Sequence, residues 1–310
     1  MTSSPASPDS PSDTPGAAPD AVGAAARLRS LHVPGRPLLL PNAWDVGSAR
    51  WVEEAGFPVV ATSSAAVAAV HGEADNDGMP LDVAFGAVAA IAGAVAVPVT
   101  ADIEAGYRLP ADELVARLLG AGAVGCNLED TDHHGPSAGA ALVPAERQAE
   151  RLAEVRAAAT RLGVPVVVNA RVDIWVRPAA GFGGGPGGGS GPGGGRGGGS
   201  GPGGGSGPGG GDLDARRAET VRRARLYLDA GADSVYPIGL TDERQIGLLV
   251  EELAAPVNIW WRPGGVPIER LAALGVARIS MGSGLYRAAE SAARAVLADL
   301  APWATPPAGP

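Results

Sequence analysis

The stretch PVTADIEAGY, residues 98–107, sets two carboxylates, Asp102 and Glu104, behind an apolar run. If the strand continues through 104, residues two apart share a face, so the two acids stand side by side and repel. A third acid, Glu129, closes the apolar run AVGCNLED. An all-oxygen set of this kind, with neither thiolate nor imidazole among the strand-end groups, suits a hard cation. Mg²⁺ or Mn²⁺ keeps several waters and takes one or two carboxylates plus substrate oxygens. The competing reading pairs these acids with Arg171 or Arg108. Arg171, in NARVD, also suits a substrate carboxylate, which a guanidinium binds through two parallel hydrogen bonds. Ser63 and Ser64, ending PVVATSS, offer hydroxyl and backbone donors to the same anion, although either serine alone also fits a turn.

Eight short apolar runs carry these groups: 38–45, 58–64, 98–104, 123–130, 165–173, 234–239, 256–261 and 277–282. Helical patterns such as DELVARLLGAGA and AERQAERLAEVRAAATRLG alternate with them, which predicts a parallel sheet. Odd-numbered runs are entered through a proline (Pro37, Pro98, Pro165, Pro256). Even-numbered runs follow a helix-ending glycine (Gly56, Gly122, Gly231, Gly275). Eight such units predict a closed (β/α)8 barrel rather than an open doubly wound sheet, with catalytic groups at strand C-termini. Those ends supply Asn42, Trp44 and Asp45, then the serines and acids above, then Asn127, Asp130, Asn169 and Asp173. Runs six to eight offer only Tyr236, Asn258, Arg262, Ser280 and Ser283, so the polar groups crowd into one half of the mouth.

Residues 181–211 are almost wholly glycine, proline and serine. Glycine brings no side chain to a core and loses the most backbone entropy on ordering. A flexible loop is expected, spanning about 30 Å as a Gly-rich coil. Its place between the fifth run and the next helix makes it an insertion in a βα loop and not a link between domains. Residues 1–26 are expected to be a disordered tail, 27–300 the barrel, and 301–310 a second tail that could seat Trp303 on a neighbouring subunit.

The formal charge of −9, with every fixed cation an arginine, speaks against nucleic acid as a partner. The one cysteine, Cys126, cannot build a disulfide framework and is read as a small buried hydrophobe. The uncharged run 83–101 contains Pro98 and has aspartates as flanks, which fits a helix and a buried strand better than a membrane span. With no signal sequence recognised at the N-terminus, a cytoplasmic protein is expected. The arginines at 216, 217, 222, 223 and 225 are read as a solvated helix face.

PNAWDVGSARWVEEAGFPVVATSSAAVA, PVTADIEAGY, NLED, NARVD and LAALGVARISMGSGLYRAA together resemble the isocitrate lyase/phosphoenolpyruvate mutase family. The resemblance spans residues 27–298 apart from the glycine tract. It implies a Mg²⁺-dependent enzyme acting on a small 2-oxo or 2-hydroxy carboxylate, making or breaking a C–C or P–C bond through an enolate. By position, Asp102, Glu104 and Glu129 match metal-site acids, reached directly or through water. Ser63 and Ser64 match the carboxylate-binding turn, with Trp44 beside the substrate. Arg171 matches the substrate arginine, and Asp75 an acid on the loop after the second strand. Dimers or tetramers are common in the family, so a homo-oligomer is expected.

Two departures bear on catalysis. Lyases of the family carry a K-[KR]-C-G-H motif on the loop after strand four, and mutase-like members a lysine there; here the loop reads TDHHGPSAGAALVP. The glutamate often found at the end of strand six aligns with Ile238. His133 and His134 are the loop's only side chains that titrate near neutrality. One of them, His133 first, is the candidate acid, against solvated histidines or a second metal site with Asp132. Three functions follow: a lyase, a hydrolase of oxaloacetate or phosphonopyruvate type, or a carboxylate-binding barrel without turnover.

Overall fold

Runs that are apolar at nearly every position cannot alternate between core and water, so they are buried on both faces and pair in parallel. The structure, a computed structural model, describes residues 20–135, 138, 139, 141–176 and 210–304. In chain order these residues form α1 (Ala21–Ser30), β1 (Leu38–Leu40), β2 (Asn42–Ala43), α2 (Val46–Glu54), β3 (Val60–Thr62), α3 (Ser64–His71), α4 (Leu81–Ala92) and β4 (Val99–Asp102). There follow α5 (Ala111–Gly120), β5 (Ala123–Glu129), α6 (Ala145–Arg161), β6 (Val167–Arg171), α7 (Gly210–Asp229) and β7 (Ser234–Tyr236). The last elements are α8 (Glu243–Leu253), β8 (Asn258–Trp260), α9 (Ile268–Ala273), β9 (Arg278–Ser280) and α10 (Gly284–Leu300).

β1 and β2 are one strand divided at Pro41, which has no N–H to donate. Its first half pairs with β9 and its second with β3, so one segment joins the arrays β1-β9-β8 and β2-β3-β4-β5-β6-β7. A parallel bridge between Val235 and Val257 links the β7 and β8 segments and completes the ring. Every registered strand pair is parallel, and the fold is the (β/α)8 barrel. Gly56 and Gly231, expected to end helices, do so in the left-handed region, at φ 86° and 99°.

The tail expected over 1–26 needs correction, because α1 already begins at Ala21. AVGAAARLRS is built of helix formers, Asp20 caps it by accepting from Val22 N at 3.1 Å, and Ala25 and Leu28 are fully buried. These two side chains pack with Leu38, Leu40, Val124 and Val167 and close the N-terminal end of the barrel. The glycine tract, apart from the backbone of its last two residues in α7, lies outside the described residues, as do 1–19 and 305–310. The uncharged run 83–101 divides into α4 and β4. Among the described residues no helix is long and apolar enough to cross a membrane.

Residues in register on neighbouring parallel strands share a face, which stacks the inward side chains in layers. Asn127, Asn169 and Ser234 form one layer; Glu129, Arg171 and Tyr236 form the next, two residues nearer the C-terminal mouth.

Candidate active site

β4 ends at Asp102, and that ending corrects the pairing expected of the two acids. Glu104 lies beyond the strand in a left-handed turn, φ 53°, so it is not a same-face strand neighbour of Asp102. Asp102 Oδ2 accepts from Ser64 Oγ at 3.0 Å and more weakly from Ser64 N at 3.4 Å, at the start of α3 where the helix dipole favours negative charge. Asp102 Oδ1 is buried without a hydrogen-bond partner, and so is Asp75 Oδ1. Burial, then the negative charge of Asp102, raises Asp75 above the usual carboxylate range. Glu104 is pushed up to about 8, by burial first and then by Asp75 and Asp102. Its Oε1 accepts from Tyr107 Oη at 3.0 Å and its Oε2 from the Asp77 amide.

Glu129, next around the ring, faces a different partner set. Its Oε2 pairs with Arg171 Nη1 at 2.5 Å and its Oε1 stands against His133 Nε2. Arg171 also binds Asp173 through two parallel bonds, Nε to Oδ1 at 2.7 Å and Nη2 to Oδ2 at 2.8 Å. Burial works against the guanidinium charge, but Asp173 and Glu129 overcome it and hold Arg171 well above its ordinary value. Asp173 in turn accepts from Thr131 Oγ1 at 2.7 Å, and its amide donates to Asp130 Oδ1 at 2.9 Å. Asp130 is fully buried and takes Arg223 Nη1 at 3.0 Å and Tyr227 Oη at 2.8 Å on its other oxygen. The chain Asp130, Asp173, Arg171 fixes where the guanidinium points.

The structure thus separates the expected metal acids into two neighbourhoods. Among the described residues no three His, Cys, Asp or Glu side chains stand together as a metal cage. Glu104 and Glu129 each have both oxygens engaged by protein donors, whereas Asp102 and Asp75 each keep one buried oxygen without a partner. Two buried, unsatisfied carboxylate oxygens, with the charge of Asp102 raising the cost of ionising Asp75, fit a hard cation of one or two carboxylates with water. The expected alternative, ion pairing with Arg171, describes Glu129 and not Asp102 or Glu104.

Ser64 reaches Asp102, while Ser63 caps α3 by accepting from Ala66 N at 3.4 Å. Trp44 is buried in edge contact with Tyr286 and Trp51, at centroid distances of 5.3 and 6.1 Å. It packs there against Ala66, Val67 and Met79. His133 is sunk into the site, its side chain 2% exposed, and His134 reaches Asp77 Oδ2 at 3.1 Å. Asp132 Oδ1 accepts from the amides of His134 and Gly135 in a turn, and among the described residues no three His, Cys, Asp or Glu side chains gather there as a second metal site. Burial pushes the Cys126 thiol up to about 12, leaving it inert as an acid near neutrality. The reading of a solvated arginine face on α7 fails at Arg223, which is 7% exposed and spent on Asp130, because a buried aspartate needs a cation. Asp77, Thr131 and Tyr107 went unmarked in the sequence. Only the acid-rich spacing of HGEADNDGMP hinted at Asp77.

The family model for phosphoenolpyruvate phosphomutase matches residues 28–301. The chain belongs to that family. An uncharacterized protein of Mycobacterium tuberculosis is 33% identical over 279 residues, covering 87% of this chain and 88% of its own. A crystal structure of a Burkholderia cenocepacia protein, provisionally assigned as a phosphonomutase, is 33% identical with a TM-score of 0.74, covering 90% of this chain and 99% of that one. More distantly, phosphonopyruvate hydrolase in complex with oxalate and Mg²⁺ shares the fold, with a TM-score of 0.69 and 24% identity over 89% of this chain and 86% of its own. The crystal structure of 2,3-dimethylmalate lyase, a member of the PEP mutase/isocitrate lyase superfamily, also shares the fold, with a TM-score of 0.70 and 22% identity over 92% of this chain and 88% of its own.

Proposed function

We propose that the protein is a Mg²⁺-dependent lyase of this family, cleaving or rearranging a C–C or P–C bond in a small 2-oxo or 2-hydroxy carboxylate through an enolate. The observation that carries the reading is the pair of buried, unpartnered oxygens on Asp102 and Asp75, with Arg171 and its acids beside them. Asp102 and Asp75 would hold Mg²⁺, or Mn²⁺ in its place, with Glu104 and Glu129 reaching it through water. When bound, the ion supplies electrostatic stabilisation for the negative charge that develops as the bond breaks.

Arg171 orients the substrate carboxylate. Three of its five N–H groups are spent on Asp173 and Glu129, which leaves two donors on a side chain that cannot swing. The turn that opens α3 adds the hydroxyl of Ser63 as a donor, while the hydroxyl and amide of Ser64 are spent on Asp102 and hold that acid in place, and Trp44 backs the turn by packing. His133 takes the proton-moving role left by the absent loop thiol and lysine, with Glu129 on its Nε2 to hold the ring in place. The same pair could instead direct a water, which favours the oxaloacetate- or phosphonopyruvate-type hydrolase as the second reading.

A homo-oligomer, dimer or tetramer, belongs to the proposal. Its support is α10, which buries none of its 17 residues and exposes Val296, Leu297 and Leu300, followed by Trp303 at 86% exposure. The activity test is a panel of 2-oxo and 2-hydroxy di- and tricarboxylates and phosphonates with Mg²⁺. Pyruvate or glyoxylate released without water uptake supports the lyase, and oxalate plus acetate the hydrolase. Ligand-dependent thermal stabilisation with no product would reduce the protein to a binding barrel.

A further inference from the structure

The bulkiest fully buried side chain of the described residues is a charged one, Arg278 on β9, 1% exposed. It projects into the barrel, where Nη2 donates to Asn127 Oδ1 at 3.0 Å on the opposite wall. That oxygen is already satisfied by Asn169 Nδ2 at 2.8 Å, and Asn169 is held by Ser234 Oγ at 2.6 Å. The remaining nitrogens, Nε and Nη1, are buried with no hydrogen-bond partner among the described residues, and no acid there lies within ion-pairing distance. Arg171 and Arg223, the other arginines sunk into the fold, each face a carboxylate. An unpaired guanidinium in the interior is costly, and an apolar residue of the same volume would fold more readily.

Its position shows what such a charge can do. Arg278 shares the interior with Asn127, one two-residue step, about 7 Å of strand rise, beneath the layer of Glu129, Arg171 and Tyr236. Asp102 and Tyr236 are the groups above whose negative forms it attracts. On the opposite side His32 is buried and kept neutral. We propose that Arg278 is a fixed positive charge under the floor of the site, whose field strengthens the binding of an anionic substrate and tempers the affinity of the acids above for a cation. The inference rests on the proposed reading of the mouth as a joint site for a small carboxylate and a divalent ion. A unit charge about 10 Å away, at an effective dielectric constant of about 20, shifts a binding constant roughly tenfold.

The test uses Arg278→Met, which keeps bulk and removes charge, and Arg278→Gln, which also keeps a donor for Asn127. Oxalate binding without metal and Mg²⁺ binding without oxalate are each measured by titration calorimetry on the full chain, together with thermal unfolding. Both variants should fold, with melting temperature equal to or above that of the wild type. Both should bind oxalate about tenfold more weakly and Mg²⁺ more tightly, a pair of opposite shifts that structural damage cannot produce. Unfolding of both variants, or affinities that fall together or do not change, would overturn the role of Arg278 alone. A wild-type protein that binds neither oxalate nor Mg²⁺ would overturn the reading of the mouth and this inference with it.

Discussion

Replacing Asp130 by alanine should destabilise the fold severely and disarm the site at a distance. Asp130 is fully buried and accepts from the Asp173 amide, Arg223 Nη1 and Tyr227 Oη at 2.9, 3.0 and 2.8 Å. Burial, with Asp173 adding to it, raises the aspartate, and Arg223 opposes that rise. Truncation strands the guanidinium in the interior, a loss of about 3–5 kcal/mol. Arg223 keeps Glu219 at 2.9 Å and the Val143 carbonyl at 2.9 Å, which puts the expected loss at the lower end, about 3 kcal/mol. For a domain of this size that is a fall in melting temperature of about 6 °C or more. Asp130→Asn keeps an acceptor for the Asp173 amide and should lose about 1–2 kcal/mol. Urea unfolding at neutral pH measures both. Because Asp173 hangs on Asp130 and orients Arg171, Asp130→Asn should also weaken oxalate binding. A loss under about 1 kcal/mol for Asp130→Ala would refute the idea that this buried ion pair anchors the arginine.

Burial and the neighbouring Arg278 draw His32 down to about 4, below its unfolded value, so the unfolded chain binds the extra proton between about pH 4 and 6.5. The contribution of His32 to stability is therefore whole above about pH 6.5 and is lost on acidification, about 3 kcal/mol in all, so His32→Gln should gain stability relative to the wild type between about pH 6.5 and 4 in paired denaturation curves. His133→Asn should lose activity while His134→Asn retains most of it, read from pH-rate profiles of each; equal rates in all three proteins would remove His133 from the chemistry. Leu297→Arg together with Val296→Glu should convert an oligomer to monomer in sedimentation experiments with little change in the monomer's fold, since neither side chain is buried in the chain.

The barrel was legible because its signals are local and repeated. Each of the eight runs opens at or after a proline or follows a left-handed glycine, and each carries a short apolar stretch, so eight units are countable from the sequence. Arg171 and Glu129 could be read as site residues because both sit inside strands, whose registers align them. Glu104 was misread because one residue separates a strand end from a turn: the chain leaves β4 at Asp102, and the left-handed conformation of Glu104 breaks the two-residue alternation. The division of the acids between Arg171 on one side and Asp75 on the other depends on loops meeting across the mouth. Sequence spacing carries no trace of such meetings. Arg223 illustrates the same limit, since a basic helix face looks solvated until the strand that brings Asp130 to it is placed. The helix at Ala21 was hidden by the polar stretch before it, and only the open end of the barrel explains why Leu28 is buried.

The central claim, that Asp102 and Asp75 form a cation site facing an arginine, is tested most directly by Mg²⁺-dependent thermal unfolding of the wild type and of Asp102→Ala. The account predicts that the wild type gains about 2.7 kcal/mol when the ion stands at about a hundredfold its dissociation constant, and that Asp102→Ala gains nothing at the same concentration. An equal Mg²⁺ response in the two proteins, or none in the wild type, would contradict it.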